Sequence, residues 1–159
     1  MLARCCHTLI SLRPALDMTL AALSHSSPKK KILLVDDDDR ILQFLSFFLR
    51  EDGYEVGVAF DGPEGLLEFQ RQSWDLVITD RLMREMNGEE MTVAMKRMAP
   101  DVPVLLIQGE PDSDTDVGLF AAILAKPFRR EYILSVVRRV LETMPRLRVG
   151  TPTVAARPA

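Results

Sequence analysis

The chain has 159 residues, 47% of them hydrophobic, and a net charge of −3, which fits one folded domain and excludes disorder throughout. The charge is unevenly distributed: residues 1–31 carry +4, residues 32–128 carry −12 and residues 129–159 carry +5. An acidic middle repels the phosphates of nucleic acid and favours a bound cation instead.

The first 29 residues predict a poorly ordered extension rather than a targeting signal. Arg13 and Pro14 interrupt the continuous apolar run that a signal peptide needs, and no later segment approaches the length of a membrane span. Cys5 and Cys6 are adjacent, so they offer no spaced disulfide framework, and no second ligand pair at zinc spacing accompanies them. We therefore expect a reducing, cytoplasmic compartment.

Between residues 30 and 144, five short apolar runs alternate with longer segments whose apolar residues recur at helical spacing. The runs predict strands at Ile32–Val35, Tyr54–Ala59, Leu76–Thr79, Val104–Ile107 and Ala121–Ala125. Nearly continuous apolar strands that alternate with helices predict a parallel sheet, covered on both faces and joined by right-handed crossovers. The sequence therefore predicts a doubly wound α/β domain.

Apolar stripes mark three of the helices. Each stripe recurs at three- and four-residue spacing and ends near Gly53, Pro100 or Pro145. The stripes are Ile41, Phe44, Leu45, Phe48 and Leu49; Met91, Ala94, Met95 and Met98; and Ile133, Val137, Val140, Leu141 and Met144. We expect their Phe and Met side chains to belong to the core rather than to a cofactor site.

Charged and polar residues follow the predicted strands. Asp36 and Asp37 follow the first strand, Asp80 the third, Gln108 the fourth and Lys126 the fifth. Ligands of doubly wound sheets bind beyond the carboxyl ends of the strands, so we expect three carboxylates and one ammonium to converge there. Carboxylates this close raise one another's pKa unless a counter-charge is present, and Mg²⁺ takes oxygen ligands of this kind.

Asp38 and Asp39 have a different expected use, because acids at the start of a helix cap free N–H groups and suit the helix dipole. Taken one at a time, the strand-end residues also have ordinary structural interpretations. A lone Asp after a strand is usually a cap, and Lys-Pro or Asn-Gly is usually a turn. Their joint occurrence after the first, third and fifth strands favours a functional site.

Several motifs occur in order, at spacing consistent with one domain. They are Ile32 to Asp37, Asp80 with the trailing Met86-Asn87-Gly88, Pro103 to Ile107, and Lys126-Pro127-Phe128. Together they resemble the receiver domain of two-component response regulators over roughly residues 30 to 143. The resemblance implies a flavodoxin-like sheet with strand order 2-1-3-4-5.

The resemblance also implies a role for each site residue. Asp80 would be the nucleophile that takes a phosphoryl group from a phosphohistidine. Asp36, Asp37, Asp80 and the backbone carbonyl of Leu82 would hold Mg²⁺, which would neutralise phosphoryl oxygens. Lys126 would contact the phosphoryl group as a point charge, and the peptide bond that follows it is a candidate for the cis form.

The sequence departs from the receiver pattern at four places. Gln108 stands where Thr or Ser usually couples the phosphoryl group to a loop movement, and Ile123 replaces the aromatic switch residue. Only 18 positions separate Gln108 from Lys126, so we expect the helix between the fourth and fifth strands to be truncated or irregular. Arg84 occupies a position that is commonly Pro. We therefore expect retained phosphorylation and an altered output linkage.

These features predict a receiver that is phosphorylated on Asp80 and acts through protein contacts. Its donor would be a sensor histidine kinase or a histidine phosphotransfer protein, its downstream target a protein, and the chain itself a phosphoacceptor rather than an enzyme. Residues 145–159 predict a disordered tail too short for a helix-turn-helix module, so direct DNA binding is not expected. Leu82 cannot orient an attacking water, which predicts a long-lived phosphoryl group.

Two alternatives differ in class. A pseudo-receiver would be a binding module read without phosphorylation; Gln108 and Ile123 favour it, whereas the crowded carboxylates disfavour it. A magnesium-dependent phosphohydrolase of the haloacid dehalogenase type also uses an Asp nucleophile after a strand. The second position after Asp80 is Leu82 rather than the acid that such an enzyme needs, which disfavours this alternative.

Overall fold

The computed structural model of the protein describes residues 28–109 and 115–143. Its centre is one parallel sheet with strand order 2-1-3-4-5, which confirms the predicted fold class. The strands are β1 (Lys31–Val35), β2 (Glu55–Ala59), β3 (Leu76–Asp80), β4 (Val104–Gln108) and β5 (Ala122–Ala125). The small differences from the predicted bounds matter at the site, because Asp80 and Gln108 are the last residues of their strands.

Helices cover the sheet and connect its strands. In the described residues they are α1 (Asp39–Glu51), α2 (Gly62–Arg71), α3 (Gly88–Met98), a 3₁₀ helix (Val117–Leu119) and α4 (Arg130–Thr143). The side chains of Asp38, Asp61 and Asn87 cap the first three α-helices by accepting a bond from a backbone N–H. Gly53 follows the end of α1 with a φ of +97°, a conformation that glycine adopts without strain.

Two hydrophobic layers cover the two faces of the sheet. Successive strand residues point to opposite faces, so Ile32 and Leu34 of β1 pack with α1 and α4, whereas Leu33 and Val35 pack with α2 and α3. All four side chains are almost completely buried. Burial on both faces explains the continuous apolar runs in the sequence, and it provides the rigid frame from which the strand-end residues project.

The predicted core assignment is wrong for two side chains. Phe44 of α1 is 45% exposed, and Met98 at the end of α3 is 47% exposed. The buried face of α1 runs through Leu42 and Leu45 instead, and Phe44 lies at its edge, with its ring centroid 4.6 Å from that of Phe48. Helical spacing predicts the period of a stripe, but tertiary packing decides which side of the stripe faces the sheet.

The connection between β4 and β5 agrees with the predicted truncation in the part that the structure describes. From residue 115 to residue 121, the only regular element is the 3₁₀ helix, whose N-cap Asp116 accepts a bond from the backbone N–H of Gly118 at 3.0 Å. Residues 110–114 lie outside the described residues. A single 3₁₀ turn therefore precedes β5 at the point where the sequence predicts a shortened helix.

The predictions for the chain ends fall almost wholly outside the described residues. This applies to the extension at residues 1–29, to the tail at residues 145–159 and to both cysteines. Among the helices within residues 28–109 and 115–143, none combines the length and the apolar character needed to cross a membrane.

Gly57 of β2 lies so close to the indole of Trp74 that a side chain does not fit. A Cβ atom at position 57 would lie 2.4 Å from Cη2 of Trp74, whose Nε1–H donates to the carbonyl oxygen of Glu68 at 3.1 Å. We expect Gly57→Ala to lower the free energy of unfolding by about 1 to 3 kcal/mol through overpacking, as measured by urea denaturation. Gly109→Ala is the matched control, since nothing lies within 4 Å of its added Cβ. An equal loss in both variants would contradict the overpacking argument.

Candidate functional site

The carboxyl edge of the sheet brings together the residues that the sequence singles out. The register of β1 with β3 places Asp36 beside Asp80. The register of β4 with β5 places Lys126 next to Gln108, whose carbonyl oxygen accepts a bond from the backbone N–H of Lys126 at 2.7 Å. Four side chains from four strands therefore reach one edge.

The ammonium group of Lys126 contacts two buried carboxylates. Its Nζ atom lies 2.5 Å from Oδ1 of Asp80 and 3.5 Å from Oδ2 of Asp36. Asp80 is 8% exposed and Asp36 is 4% exposed. The peptide bond between Lys126 and Pro127 is cis, as the resemblance implies. Of the predicted convergence of three carboxylates and one lysine, the contacts that join Asp36, Asp80 and Lys126 are thus present in the structure.

The environment shifts the pKa of both Asp36 and Lys126. Burial raises the pKa of the Asp36 carboxyl above its usual 3.8; the backbone N–H of Asp38 and the charge of Lys126 oppose this rise, and the charge of Asp80 adds to it. Burial disfavours the charged form of Lys126, but its hydrogen bonds to Asp80 and Asp36 and their charges outweigh that effect and raise its pKa above the usual 10.5. Lys126 therefore stays charged at neutral pH, whereas the fold disfavours the charged form of Asp36.

The loop after β3 fixes the second oxygen of Asp80. Oδ2 of Asp80 accepts a hydrogen bond from the backbone N–H of Leu82 at 2.9 Å. The loop returns to the strand end, where the backbone N–H of Gly88 donates to the carbonyl oxygen of Arg81 at 2.9 Å. A Cβ at position 88 would lie 2.2 Å from the carbonyl oxygen of Asp80, so this approach requires glycine. Asn87-Gly88 therefore both starts α3 and holds that helix against Asp80.

Asp38 caps α1, as predicted. Its Oδ1 atom accepts a bond from the backbone N–H of Arg40 at 2.9 Å, and its Oδ2 atom accepts one from Nη2 of the same arginine at 2.8 Å. The side-chain hydrogen bonds of Arg40, followed by that of its backbone, lower the pKa of Asp38 to about 2. Asp39 is exposed in the first turn of the helix. Of the four consecutive acids, two therefore serve the helix and leave Asp36 and Asp37 for the site.

Asp37 pairs with a different cation. Its Oδ2 atom lies 3.7 Å from Nε of Arg84, in the loop after β3. Within residues 28–109 and 115–143, no group of three or more His, Cys, Asp or Glu side chains is arranged to hold a metal ion. The donor types nevertheless suit Mg²⁺, because carboxylates and a loop carbonyl are hard oxygen ligands and Asp36 and Asp80 already approach one shared cation. Of the predicted carboxylate ligands, Asp37 is the one that pairs with Arg84 instead of Lys126.

Gln108 stands where the resemblance leads one to expect a hydroxyl. Its side chain is buried, and Oε1 has no hydrogen-bond partner among the described residues. Ile123 of β5 is half-buried and packs against the layer that α2 and α3 form. The hydrogen bonding of Gln108 is therefore incomplete, and a buried acceptor without a donor lowers the stability of the fold. The effect of these two residues on output stays a prediction.

Sequence reasoning does not anticipate an open groove of about 440 Å³ beside Lys126. Its lining comes from the start of α1 and the residues after β5: Asp38, Arg40, Ile41, Phe44, Lys126, Pro127 and Phe128. Phe44, which is 45% exposed, forms part of this lining. The spacing of the apolar residues in α1 predicts a stripe, but spacing alone does not show which edge of that stripe faces solvent.

Comparisons with known proteins agree with this geometry. Residues 32–138 match the family described as "Response regulator receiver domain". The transcriptional regulatory protein GlrR of Escherichia coli K12 is 34% identical over 116 residues, which is 70% of this chain and 26% of that protein. The regulatory protein VanRB of Enterococcus faecalis is 34% identical over 115 residues, which is 70% of this chain and 52% of that protein. The chain thus spans about a quarter to a half of these curated relatives.

Two solved receiver structures show the same likeness over nearly their whole length. A response regulator receiver domain protein from Clostridium thermocellum is 30% identical with a TM-score of 0.67, covering 72% of this chain and 95% of that one. A CheY-like receiver domain protein from Methanospirillum hungatei is 26% identical with a TM-score of 0.70, covering 73% of this chain and 96% of that one.

Replacing Asp36 by Asn is expected to stabilise the protein in EDTA. Because the pKa of Asp36 is raised in the fold, the unfolded chain loses this proton at a lower pH, and folding stability falls as the pH rises from about 3.8 through the raised value. Asn keeps an oxygen for the backbone N–H of Asp38, now bonded at 2.8 Å, but removes the buried charge. At pH 7 we expect Asp36→Asn to raise the free energy of unfolding by about 1 kcal/mol, or Tm by roughly 4 °C.

The gain from Asp36→Asn should shrink as the pH falls through the raised pKa of Asp36, where the native carboxyl takes up a proton. Asp39→Asn is the matched control, since it neutralises an exposed carboxylate that suits the α1 dipole and should lower Tm at neutral pH. Thermal melts at pH 4 and pH 7 measure both effects. Loss of stability in Asp36→Asn, or a gain that is unchanged at pH 4, would contradict the burial cost assigned to Asp36.

Proposed function

Because the chain belongs to the response regulator receiver domain family, we propose that it is the receiver of a two-component system in which Asp80 accepts a phosphoryl group. The observation that carries the proposal is the contact of the Lys126 ammonium with Asp80 and Asp36. It puts a nucleophilic carboxylate, a second acid and a counter-charge at the edge of the sheet where ligands bind. Asp80 is favoured over Asp36 as acceptor because it lies closer to the ammonium and ends the central strand β3.

The proposed step is a displacement at phosphorus. A carboxylate oxygen of Asp80 forms the new P–O bond while the P–N bond of a phosphohistidine breaks; the electron pair stays on the imidazole nitrogen, which takes a proton. Lys126 bonds a phosphoryl oxygen and compensates part of the charge that accumulates beside Asp80. Such a transfer needs little covalent chemistry from the protein, so positioning and charge compensation are its main contributions.

Asp36, Asp37, Asp80 and the backbone carbonyl of Leu82 would hold Mg²⁺ in this proposal. When bound, the ion would neutralise phosphoryl oxygens. Lys126 is the cation that Asp36 and Asp80 share in the structure, and the raised pKa of Asp36 indicates that this sharing compensates its burial only in part.

The groove beside Lys126 supports a protein phosphodonor. It has apolar side chains, among them Phe44 and Phe128, and it has charges at its rim, including Arg40. An amphipathic helix that carries a phosphohistidine suits such a surface, which fits a sensor histidine kinase or a histidine phosphotransfer protein as donor. We place the exchange in the cytoplasm, since the adjacent Cys5 and Cys6 offer no spaced disulfide framework, and we propose a protein as the downstream target.

A binding module read without phosphorylation is the second candidate function. Gln108 favours it, because a buried amide with an unpaired oxygen takes the place of the hydroxyl that would follow the phosphoryl group. Ile123 points in the same direction, since it lacks the polar tip of the usual aromatic residue. Both candidates are signalling domains rather than enzymes with an external substrate. They differ in whether Asp80 becomes labelled.

Incubation with Mg²⁺ and acetyl phosphate is expected to add one phosphoryl mass to the protein, measured by intact-protein mass spectrometry. Asp80→Asn should abolish the gain because an amide oxygen is a poor nucleophile, and EDTA should suppress it. Asp61→Asn is the matched control. Asp61 also follows a strand at this edge, but it caps α2 by accepting a bond from the backbone N–H of Glu64 at 2.7 Å, and Asn caps a helix equally well.

The outcomes separate the two candidate functions. A gain that persists in Asp80→Asn would place the acceptor on another residue. Absence of any gain with acetyl phosphate and with a phosphorylated histidine donor alike would favour the phosphorylation-independent module. Loss of labelling in Asp61→Asn would show that a neutralised strand-end acid is enough to disturb the site.

The phosphoryl group on Asp80 is expected to be long-lived. Leu82 is 74% exposed beside the site and carries no group that could orient an attacking water. We expect Leu82→Gln to shorten the half-life of the label by about tenfold, followed by mass spectrometry after acetyl phosphate is removed. Leu82→Met, which remains apolar, should leave the half-life unchanged. Rapid loss of label from the unsubstituted protein would contradict this account.

A further inference from the structure

Arg84 is held close to the site by an ordered turn. Its Nε atom lies 3.7 Å from Oδ2 of Asp37. The backbone N–H of Met86 donates to the carbonyl oxygen of Arg84 at 2.7 Å, and the N–H of Gly88 donates to the carbonyl oxygen of Arg81 at 2.9 Å. The turn also contains Glu85 in the left-handed region, with a φ of 64°. The turn thus places Arg84 where its guanidinium contacts Asp37.

Each of the three carboxylates at the site has a protein cation. Lys126 contacts Asp36 and Asp80, and Arg84 contacts Asp37. The three acids form no metal-holding group in the described residues, although their chemistry suits Mg²⁺. A metal ion bound by Asp37 would share the charge of that carboxylate with Arg84.

We propose that Arg84 is an intramolecular competitor for Asp37 that weakens Mg²⁺ binding and so raises the concentration of free Mg²⁺ that phosphorylation needs. The inference rests on the proposed function, because it assigns Asp37 to the metal. Two effects oppose binding: the attraction between Arg84 and Asp37 is weakened, and a cationic side chain stays close to a dication. The Arg84 side chain is 85% exposed, so both effects are modest in size and are screened by salt.

Calorimetric titration of MgCl₂ into the full chain tests the proposal directly. At low ionic strength, Arg84→Gln is expected to bind Mg²⁺ about three- to tenfold more tightly than the unsubstituted protein. The rise in Tm with MgCl₂ concentration gives a second readout that needs no phosphorylation, since a ligand that binds the folded state stabilises it. The difference between the two proteins should shrink at about 0.5 M salt, where exposed charges are screened.

Arg40 provides a matched control. Its side chain is 89% exposed and lies 2.8 Å from Asp38, which caps α1 instead of serving the site. Arg40→Gln removes one positive charge from the same region without releasing Asp37, so it should change Mg²⁺ affinity less than Arg84→Gln does. In an Asp37→Asn background, Arg84→Gln should lose most of its effect, because the competing pair is already absent.

The titrations distinguish failure of this inference from failure of the proposed function. If the unsubstituted protein binds Mg²⁺ and is labelled on Asp80, but Arg84→Gln binds no more tightly than it or than Arg40→Gln, competition by Arg84 is refuted and the receiver assignment stands. If neither the unsubstituted protein nor Arg84→Gln binds Mg²⁺, competition by Arg84 is refuted, and the receiver proposal is overturned as well if Asp80 is not labelled. Binding detected only in Arg84→Gln would support the competition.

Discussion

The contact of one ammonium with two buried carboxylates is the interaction on which the rest of the site depends. Asp36 and Asp80 are each less than a tenth exposed, and Lys126 contacts both. Without the lysine, two like charges would lie together in a poorly solvated place with no counter-charge, so loss of the Lys126 ammonium would be costly. Lys126 follows β5, so its side chain has to pass the end of β4 to reach acids on β3 and β1. A parallel sheet makes this possible because its carboxyl ends share one edge.

The hydrophobic layers that stabilise the fold are separate from the residues at this edge. Ile32 and Leu33 belong to different layers, and each layer buries apolar side chains between the sheet and a pair of helices. The charged form of Asp36 works against folding, as its raised pKa indicates, and the two layers offset that cost. Residues after the strands can therefore serve a ligand at some expense of stability. In a functional domain, the residues of the site are the ones expected to conflict with the stability of the fold.

Much of this arrangement could be predicted from the sequence, because continuous apolar runs specify a parallel sheet and chain order then places Asp80 and Lys126 at one edge. The orientation of α1 could not be predicted in this way. A 3.6-residue period does not decide which side of a helix is buried when apolar residues flank the stripe, and in the structure Phe44 faces a groove. The pair of Arg84 and Asp37 could not be predicted either. It joins two loops that are distant in sequence, and loop shape, unlike strand register, has no periodic signature.

Gln108 limits the form that a response to phosphorylation can take. A phosphoryl group offers only acceptor oxygens, so it can bond the amide N–H of Gln108 but not Oε1, which is buried and unpaired among the described residues. Because Oε1 already lacks a partner within the part of the chain that the structure describes, turning the amide towards a phosphoryl group on Asp80 would relieve a cost if it brought that oxygen to a donor. Ile123 has no donor to give. In the proposed receiver, a state that supplies Oε1 with a hydrogen bond would therefore be favoured, because only a differential interaction can shift a conformational equilibrium.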